Sequence, residues 1–264
     1  MNEVPPSGPA LQALRQELDD LDDALLALLA KRFAITAQVK SFKRATHTAS
    51  ASPLRPAREA QIQRRLLERA KADGLNRDMV LRIWRAILTQ SSFEQAGMTI
   101  HVAKKTASGI AARLRLRDHF PSLPIEEWRD EAQAMMQVNA SPGDICIVET
   151  EGSWIEAFIR GSAGTAQVIG ALPVVSESLV PKLLVIGNAP QEASGRDETL
   201  LITQGSLPRD FPIHPLWQVK SGDFRLSALA GFFSELESPI IGLGRSNKSL
   251  GLAVAGRYPS AFEV

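Results

Sequence analysis

The chain has 264 residues, of which 44% are hydrophobic and 22% are charged, the balance of an ordinary globular protein with one or two domains. Its formal net charge of +1 gives no overall argument for binding nucleic acid or an acidic membrane surface. The single cysteine, Cys146, excludes an internal disulfide framework, and its apolar neighbours in ICIV favour a buried thiol over a nucleophile.

The N-terminal stretch MNEVPPSGPA has neither a basic start nor an apolar core, so the sequence predicts no signal peptide. No uninterrupted apolar run is long enough to span a bilayer. We therefore expect a cytoplasmic protein that has no membrane partner and no nucleic-acid partner.

The composition changes near residue 97. Residues 11–95 are rich in Leu, Ala, Arg and Gln and contain one glycine, Gly74, whereas glycine, proline and short β-branched runs recur from Met98 onward. Strand and helix patterns alternate in this second part, which is typical of an α/β fold. The sequence thus predicts a multi-domain chain, with an all-helical domain at residues 1–97 and an α/β domain at residues 98–264.

Three helices are predicted in the first part. The first has apolar residues at 11, 14, 18, 21, 25 and 28, then Arg32, then apolar residues at 35, 39 and 42, which is a heptad pattern. The second begins at Pro56 and ends before Gly74, and the third begins after Asn76 as its N-cap. At ~1.5 Å per residue the first helix is about 50 Å long. Two shorter helices cover such a rod poorly, so we expect a homodimer.

Polar side chains interrupt the apolar faces of these helices. Arg32 and Lys43 are eleven residues apart, close to three whole turns, and so share a face of the first helix. Ser91 and Gln95 continue the apolar stripe of the third helix at i and i+4. Each residue alone is more often a register-setting or solvated side chain. Their coincidence on separate helices favours a shared pocket.

Two further groups belong to this predicted pocket. Arg58 and Glu59 open the second helix beside a run of basic residues, which makes the pocket mainly positive. Arg15 lies seventeen residues before Arg32, roughly 25 Å away along the helix. It cannot line the same pocket in its own chain, but an antiparallel partner helix can supply it.

The segments ALRQELDDLDDALLALLAKR, VKSFK, PLRPAREA and ILTQSSFEQ resemble the conserved blocks of the all-helical chorismate mutases. The resemblance implies a three-helix domain that forms an intertwined homodimer. It also implies an isomerase that converts chorismate to prephenate by a Claisen rearrangement in phenylalanine and tyrosine biosynthesis. The implied reaction needs no nucleophile, metal or other cofactor.

The resemblance assigns carboxylate binding to four residues. Arg32 and Arg15, the latter supplied by the partner copy, would bind the substrate carboxylates, with Arg58 as a further carboxylate partner. Ser91 would help to hold a carboxylate.

Three residues would contact the oxygens of the ring and the ether. Lys43 and Gln95 would donate hydrogen bonds to the ether oxygen, and Glu59 would accept one from the ring hydroxyl. The sequence departs from the family at RPAR, where Pro56 and Ala57 stand in place of an aspartate that many members carry. One contact to the ring hydroxyl is therefore expected to be lost or rerouted.

The second part resembles prephenate dehydratases in GDICIVETEGSW and LAVAGRYPSAFEV. It lacks the Thr-Arg-Phe segment of that family, and its histidines His101, His119 and His214 are scattered, which favours structural or surface roles. We therefore predict a degenerate, non-catalytic or regulatory module. Two alternatives stay open: a bifunctional chorismate mutase–prephenate dehydratase, and a non-catalytic helical dimerisation module with a ligand-sensing domain.

Overall fold

A computed structural model describes residues 8–45, 52–141, 143–176 and 178–263. The chain divides into two compact units, Met1–Ala49 and Ser50–Val264. This division falls before the second helix, and the domain boundary near residue 97 stays a prediction. No helix in the described ranges is long and apolar enough to cross a membrane.

The described part of the first unit forms the helix α1 (Pro9–Ala45) of 37 residues, which confirms the predicted long first helix. Its heptad stripe is exposed: Leu18 is 61% exposed, Leu28 64% and Phe42 68%. The other stripe residues are also more than 40% exposed. An exposed apolar stripe of this length is typical of a surface that another chain buries.

The second unit begins with the two remaining predicted helices, α2 (Pro56–Ala72) and α3 (Arg77–Ala96). Pro56 occupies the first turn of α2, where its missing N–H leaves no hydrogen bond unmade. Gly74, at a φ of +69°, follows the end of α2 in a conformation that favours glycine. Asn76 caps α3, since its side-chain oxygen accepts a hydrogen bond from the Met79 N–H at 2.8 Å.

Strands and short helices alternate after α3 as far as residue 159, as the sequence predicts, and five strands then follow in succession. The strands are β1 (Ile100–Ala103), β2 (Ile125–Trp128), β3 (Ile145–Glu149), β4 (Gln167–Leu172), β5 (Leu183–Gly187), β6 (Asp197–Gln204), β7 (Trp217–Ser221), β8 (Phe224–Ala230) and β9 (Ala253–Pro259). The helices are α4 (Lys104–Ser108), α5 (Ile110–His119), α6 (Glu131–Gln137), α7 (Trp154–Ile159) and α8 (Ile240–Ser246), with a 3₁₀ turn at Lys248–Leu250.

The strands form one mixed sheet in the order β2-β1-β3-β5-β4-β9-β6-β8-β7. Strand β1 is parallel to both β2 and β3, and the β4–β9 pair is also parallel. Cys146 lies on β3, fully buried, which confirms the expected structural thiol. The β4–β9 pair, which joins at Val168 and Gly256, connects the strands β2-β1-β3-β5-β4 to the strands β9-β6-β8-β7.

Arginine side chains fix α2 to the sheet. The Arg64 guanidinium donates to the backbone oxygens of Ser194 at 2.8 Å and Arg196 at 2.7 Å, both in the loop before β6. Arg55, just before α2, forms a salt bridge of 2.7 Å with Glu192 of the same loop. Arg55 and Arg64 therefore hold α2 against the loop before β6.

Helix α3 is held by a similar ion pair and by apolar packing. The buried Arg85 donates to the Asp118 carboxylate of α5 at 2.9 Å, and Arg82 contacts the same carboxylate. Both helices also pack against the C-terminal segment in a buried cluster of Ala60, Leu67, Leu81 and Phe262. Thus α2 and α3 share one compact unit with the α/β sheet.

We predict that Gly256→Ala destabilises the second unit, because a Cβ at this position would lie 2.1 Å from the Val168 backbone oxygen. Neither backbone can move without breaking the β4–β9 contact, so the free energy of unfolding should fall by about 2 kcal/mol or more. Thermal unfolding followed by far-ultraviolet circular dichroism measures the effect. Gly242→Ala in α8 is the control, since a Cβ there meets no atom within 4 Å. Equal unfolding temperatures for the two variants would contradict this account of the sheet.

Candidate active site

The candidate residues of the first unit lie along α1. Arg15 is exposed and Arg32 is half-buried, with its guanidinium carbon 6.0 Å from the centre of the Phe33 ring. Burial lowers the pKa of Arg32, but an arginine keeps its charge at physiological pH. The backbone of Lys43 belongs to α1, and its side chain lies outside the described residues.

The candidate residues of the second unit lie at one end of the α2–α3 pair. Arg58 is exposed and Glu59 is half-buried in the first turn of α2. The Ser92 hydroxyl of α3 donates to the Glu59 carboxylate at 3.5 Å, which places the start of α2 against the last turns of α3. Ser91 and Gln95 lie in those same turns. Ser92 is a neighbour of Glu59 that the sequence reasoning missed, although it follows Ser91 directly.

Ser91 and Gln95 use their side-chain donors within α3. The Ser91 hydroxyl donates to the Ile87 backbone oxygen at 2.8 Å, and the Gln95 amide donates to the Ser91 backbone oxygen at 3.1 Å. Such local hydrogen bonds contribute about 1 kcal/mol each, because water or a ligand can replace them. Both side chains can therefore turn from the helix to a bound molecule at small cost.

Glu59 has the most altered chemistry among the candidates. Burial raises its pKa from 4.5 to about 7, outweighing the hydrogen bonds from Ser92 and from the Arg55 backbone N–H, which favour the carboxylate. The group consequently changes charge near neutral pH. As a carboxylate it can accept a hydrogen bond from a hydroxyl group, and as an acid it can donate one.

The structure thus brings Glu59, Ser91 and Gln95 to one end of a helix pair, with Arg58 beside Glu59. Arg15, Arg32 and Lys43 belong to the other compact unit, and their convergence with the first group stays a prediction. In the described ranges no group of three His, Cys, Asp or Glu side chains is placed to hold a metal ion.

Residues 14–96 match the family model of chorismate mutase type II. This match confirms the resemblance of the first hundred residues to chorismate mutases. All seven candidate site residues, Arg15, Arg32, Lys43, Arg58, Glu59, Ser91 and Gln95, lie inside the matched range. Chorismate mutases are isomerases.

Curated relatives extend the similarity beyond the helices. The bifunctional chorismate mutase/prephenate dehydratases of Escherichia coli K12 and Shigella flexneri are each 28% identical to this chain over 162 residues. Each alignment covers 54% of this chain and 40% of the relative. The chain therefore spans less than half the length of the relatives it matches.

Two solved structures are similar to the chain at low TM-scores. A protein described as GqqA, a novel type of quorum quenching acylases, has a TM-score of 0.41 at 10% identity and covers 62% of this chain and 95% of its own. Prephenate dehydratase from Streptococcus mutans has a TM-score of 0.35 at 14% identity and covers 62% and 100%. Values below 0.5 support no conclusion about activity.

We predict that the free energy of unfolding of Glu59→Gln, measured relative to wild type, increases as the pH rises from 5 to 8. Between pH 4.5 and about 7 the folded state keeps the Glu59 proton while the unfolded state loses it, so wild-type stability falls as the pH rises through this window. The glutamine of the variant does not titrate, so the variant does not lose stability in this way. Chemical denaturation at pH 5, 6, 7 and 8 measures the difference in the free energy of unfolding.

The matched control is Glu68→Gln, an exposed position on the same helix, which should follow the wild-type pH dependence. If the difference between wild type and Glu59→Gln were the same at every pH, the buried acid would not be Glu59.

Proposed function

We propose that the chain is a chorismate mutase, which converts chorismate to prephenate in the biosynthesis of phenylalanine and tyrosine. The observation that carries the proposal is the family match over residues 14–96, which contains the whole set of candidate residues. The position of Arg32 in the heptad stripe of the matched range supports it, because a guanidinium there can bind a substrate carboxylate.

The rearrangement is unimolecular, so the protein has two tasks. It must hold the substrate in its compact reactive shape, and it must stabilise the transition state in which the ether C–O bond breaks. We assign the first task to Arg32, Arg58 and the partner copy's Arg15, whose planar guanidinium groups bind carboxylates in fixed geometry.

The second task needs donors aimed at the ether oxygen, which gains negative charge. We assign it to Lys43 and Gln95, since donors fixed before the reaction stabilise developing charge best. Gln95 must first leave the Ser91 backbone oxygen. Glu59, as a carboxylate, would accept from the ring hydroxyl, and Ser91 would help to hold a carboxylate.

We further propose a homodimer paired through α1. Its exposed heptad stripe supports this arrangement, because two copies would bury each other's leucines. Arg15 and Arg32 are roughly 25 Å apart along one helix, so an antiparallel pair would bring Arg15 of one copy towards Arg32 of the other. A cytoplasmic location and a reaction without cofactor stay predictions.

The α/β part is proposed to be non-catalytic or regulatory. A bifunctional mutase–dehydratase is the second candidate, favoured by the names of the curated relatives and by an alignment longer than the helical region.

Two assays separate these two candidates from each other and from a third, a helical dimerisation module without catalysis. Loss of chorismate absorbance reports the mutase, and phenylpyruvate formed from added prephenate reports the dehydratase. A chain that consumes no chorismate would overturn the proposal.

We predict that Arg32→Ala lowers kcat/KM for chorismate by about 100-fold or more, because the variant loses a charged donor to a substrate carboxylate. Steady-state loss of chorismate absorbance measures it. Arg160→Ala, which removes an exposed arginine from the α/β part, is the control and should retain wild-type kcat/KM. Turnover of Arg32→Ala close to that of the control would remove Arg32 from the site.

We predict that Leu25→Glu dissociates the dimer, because it places a charge in the middle of the stripe, where Leu25 is 59% exposed. Sedimentation equilibrium gives the mass, and the same variant should lose mutase activity because Arg15 no longer reaches the partner. Leu236→Glu, at a position 81% exposed and outside α1, is the control. A wild-type protein that sediments as a monomer, or a Leu25→Glu variant that still sediments as a dimer, would contradict pairing through α1.

A further inference from the structure

The first turn of α2 carries two of the proposed chorismate residues, Arg58 and Glu59, but it lacks the usual cap of a helix start. Arg55 occupies the N-cap position, and its side chain makes no hydrogen bond to the helix. Short polar side chains such as Ser or Asp normally cap this position and fix the first turn. The first turn therefore depends on contacts outside α2.

The Arg55 side chain reaches the loop before β6. One of its terminal nitrogens lies 2.7 Å and 2.8 Å from the two carboxylate oxygens of Glu192. The two side chains are 34% and 43% exposed, so the ion pair contributes little to stability by itself. Its contact with both carboxylate oxygens nevertheless limits the directions that the Arg55 side chain can take.

The loop that carries Glu192 is fixed by its own hydrogen bonds. The Asp197 carboxylate accepts from the Ser194 hydroxyl at 2.6 Å, and from the backbone N–H groups of Ser194 and Gly195 at 2.9 Å and 3.1 Å. Ser194 and Asp197 are both buried, and Asp197 begins β6. Glu192 thus extends from a loop that is anchored to the sheet.

Arg55 also contacts Glu59 through its backbone. Its N–H donates a hydrogen bond to the Glu59 carboxylate, and its carbonyl oxygen accepts one from the Glu59 N–H at 2.9 Å. The contact between Glu59 and the Ser92 hydroxyl is long, at 3.5 Å. Glu59 also lines a cavity of about 390 Å³ beneath α2 and α3, so packing fixes its side chain only in part. The position of Glu59 consequently depends on Arg55.

We propose that Glu192 is a positioning residue of the chorismate site, which acts through Arg55 to hold Glu59 at the start of α2. The inference rests on the proposed function and adds a residue of the α/β part to the seven candidates. Without Glu192 the Arg55 side chain is released, and the Arg55 N–H no longer stays aligned with the Glu59 carboxylate. The α/β part then contributes to mutase activity without touching the substrate.

Carbon-13 NMR of side-chain carboxyl groups in the full chain measures the pKa of Glu59 without any substrate, and Glu59→Gln identifies its signal. We expect Glu192→Gln to raise this pKa from about 7 by roughly 0.5, because a carboxylate that loses a donor ionises less readily. Loss of the Glu192 charge by itself would lower the pKa, since a nearby anion disfavours a second one. A rise therefore reports on the hydrogen bond from Arg55.

Arg55→Gln should raise the pKa of Glu59 as well, because it removes the same ion pair. The matched control is Glu127→Gln, which breaks the exposed pair of 3.0 Å between Glu127 of β2 and Arg113 of α5 and should leave the pKa unchanged. An unchanged or lowered pKa of Glu59 in Glu192→Gln would overturn the proposal.

A double-mutant cycle tests whether Glu192 acts through Arg55. Steady-state loss of chorismate absorbance should show kcat/KM about three- to tenfold below wild type for Glu192→Gln, for Arg55→Gln and for the double variant alike, because one misplaced turn is the common cause. Glu127→Gln should retain wild-type kcat/KM. Effects that multiply in the double variant would show two independent roles and overturn the proposal. A wild type that consumes no chorismate would overturn the proposed function, and the NMR titration would still decide whether Glu192 positions Glu59.

Discussion

The contact between Arg64 and the loop before β6 is the constraint on which the second unit depends. Its guanidinium satisfies the backbone oxygens of Ser194 and Arg196, while the Asp197 carboxylate accepts from the backbone N–H of Ser194 at 2.9 Å. Because α2 is fixed through this loop, its first turn and its partner helix α3 stay on the sheet. The proposed chorismate residues of α2 and α3 are therefore held by an α/β fold, not by helices alone.

This attachment also explains the unusual chemistry of the buried ionisable groups. Covering the sheet with α2 and α3 removes water from Glu59 and Arg85, which raises the pKa of the acid to about 7 and lowers that of the arginine. Burial of charge is costly unless a partner compensates it, and the carboxylate of Asp118 is the hydrogen-bonded partner of Arg85. The second unit thus keeps ionisable side chains beneath the two helices that cover the sheet.

Much of the fold and of the candidate site could be read from local patterns. The cap at Asn76, the first-turn proline at Pro56 and the positive φ of Gly74 all act within a few residues, so the bounds of α2 and α3 were predictable. Ser92, Arg85 and Glu192 were not. Each acquires its importance from a residue far away in sequence, and no spacing rule identifies such a pair.

Three features of the first hundred residues follow from sequence alone: a heptad helix interrupted by Arg32, two further helices with recognisable ends, and a set of polar residues inside a family match. Three other features appear only in the folded chain: the basic residues that hold helices to the sheet, the junction of β4 and β9 at a glycine, and the cavity beneath α2 and α3. The two groups of features differ in the distance along the sequence over which the underlying interactions act. Capping and periodicity act over one or two turns, whereas burial and long-range ion pairs exist only after distant segments have packed together.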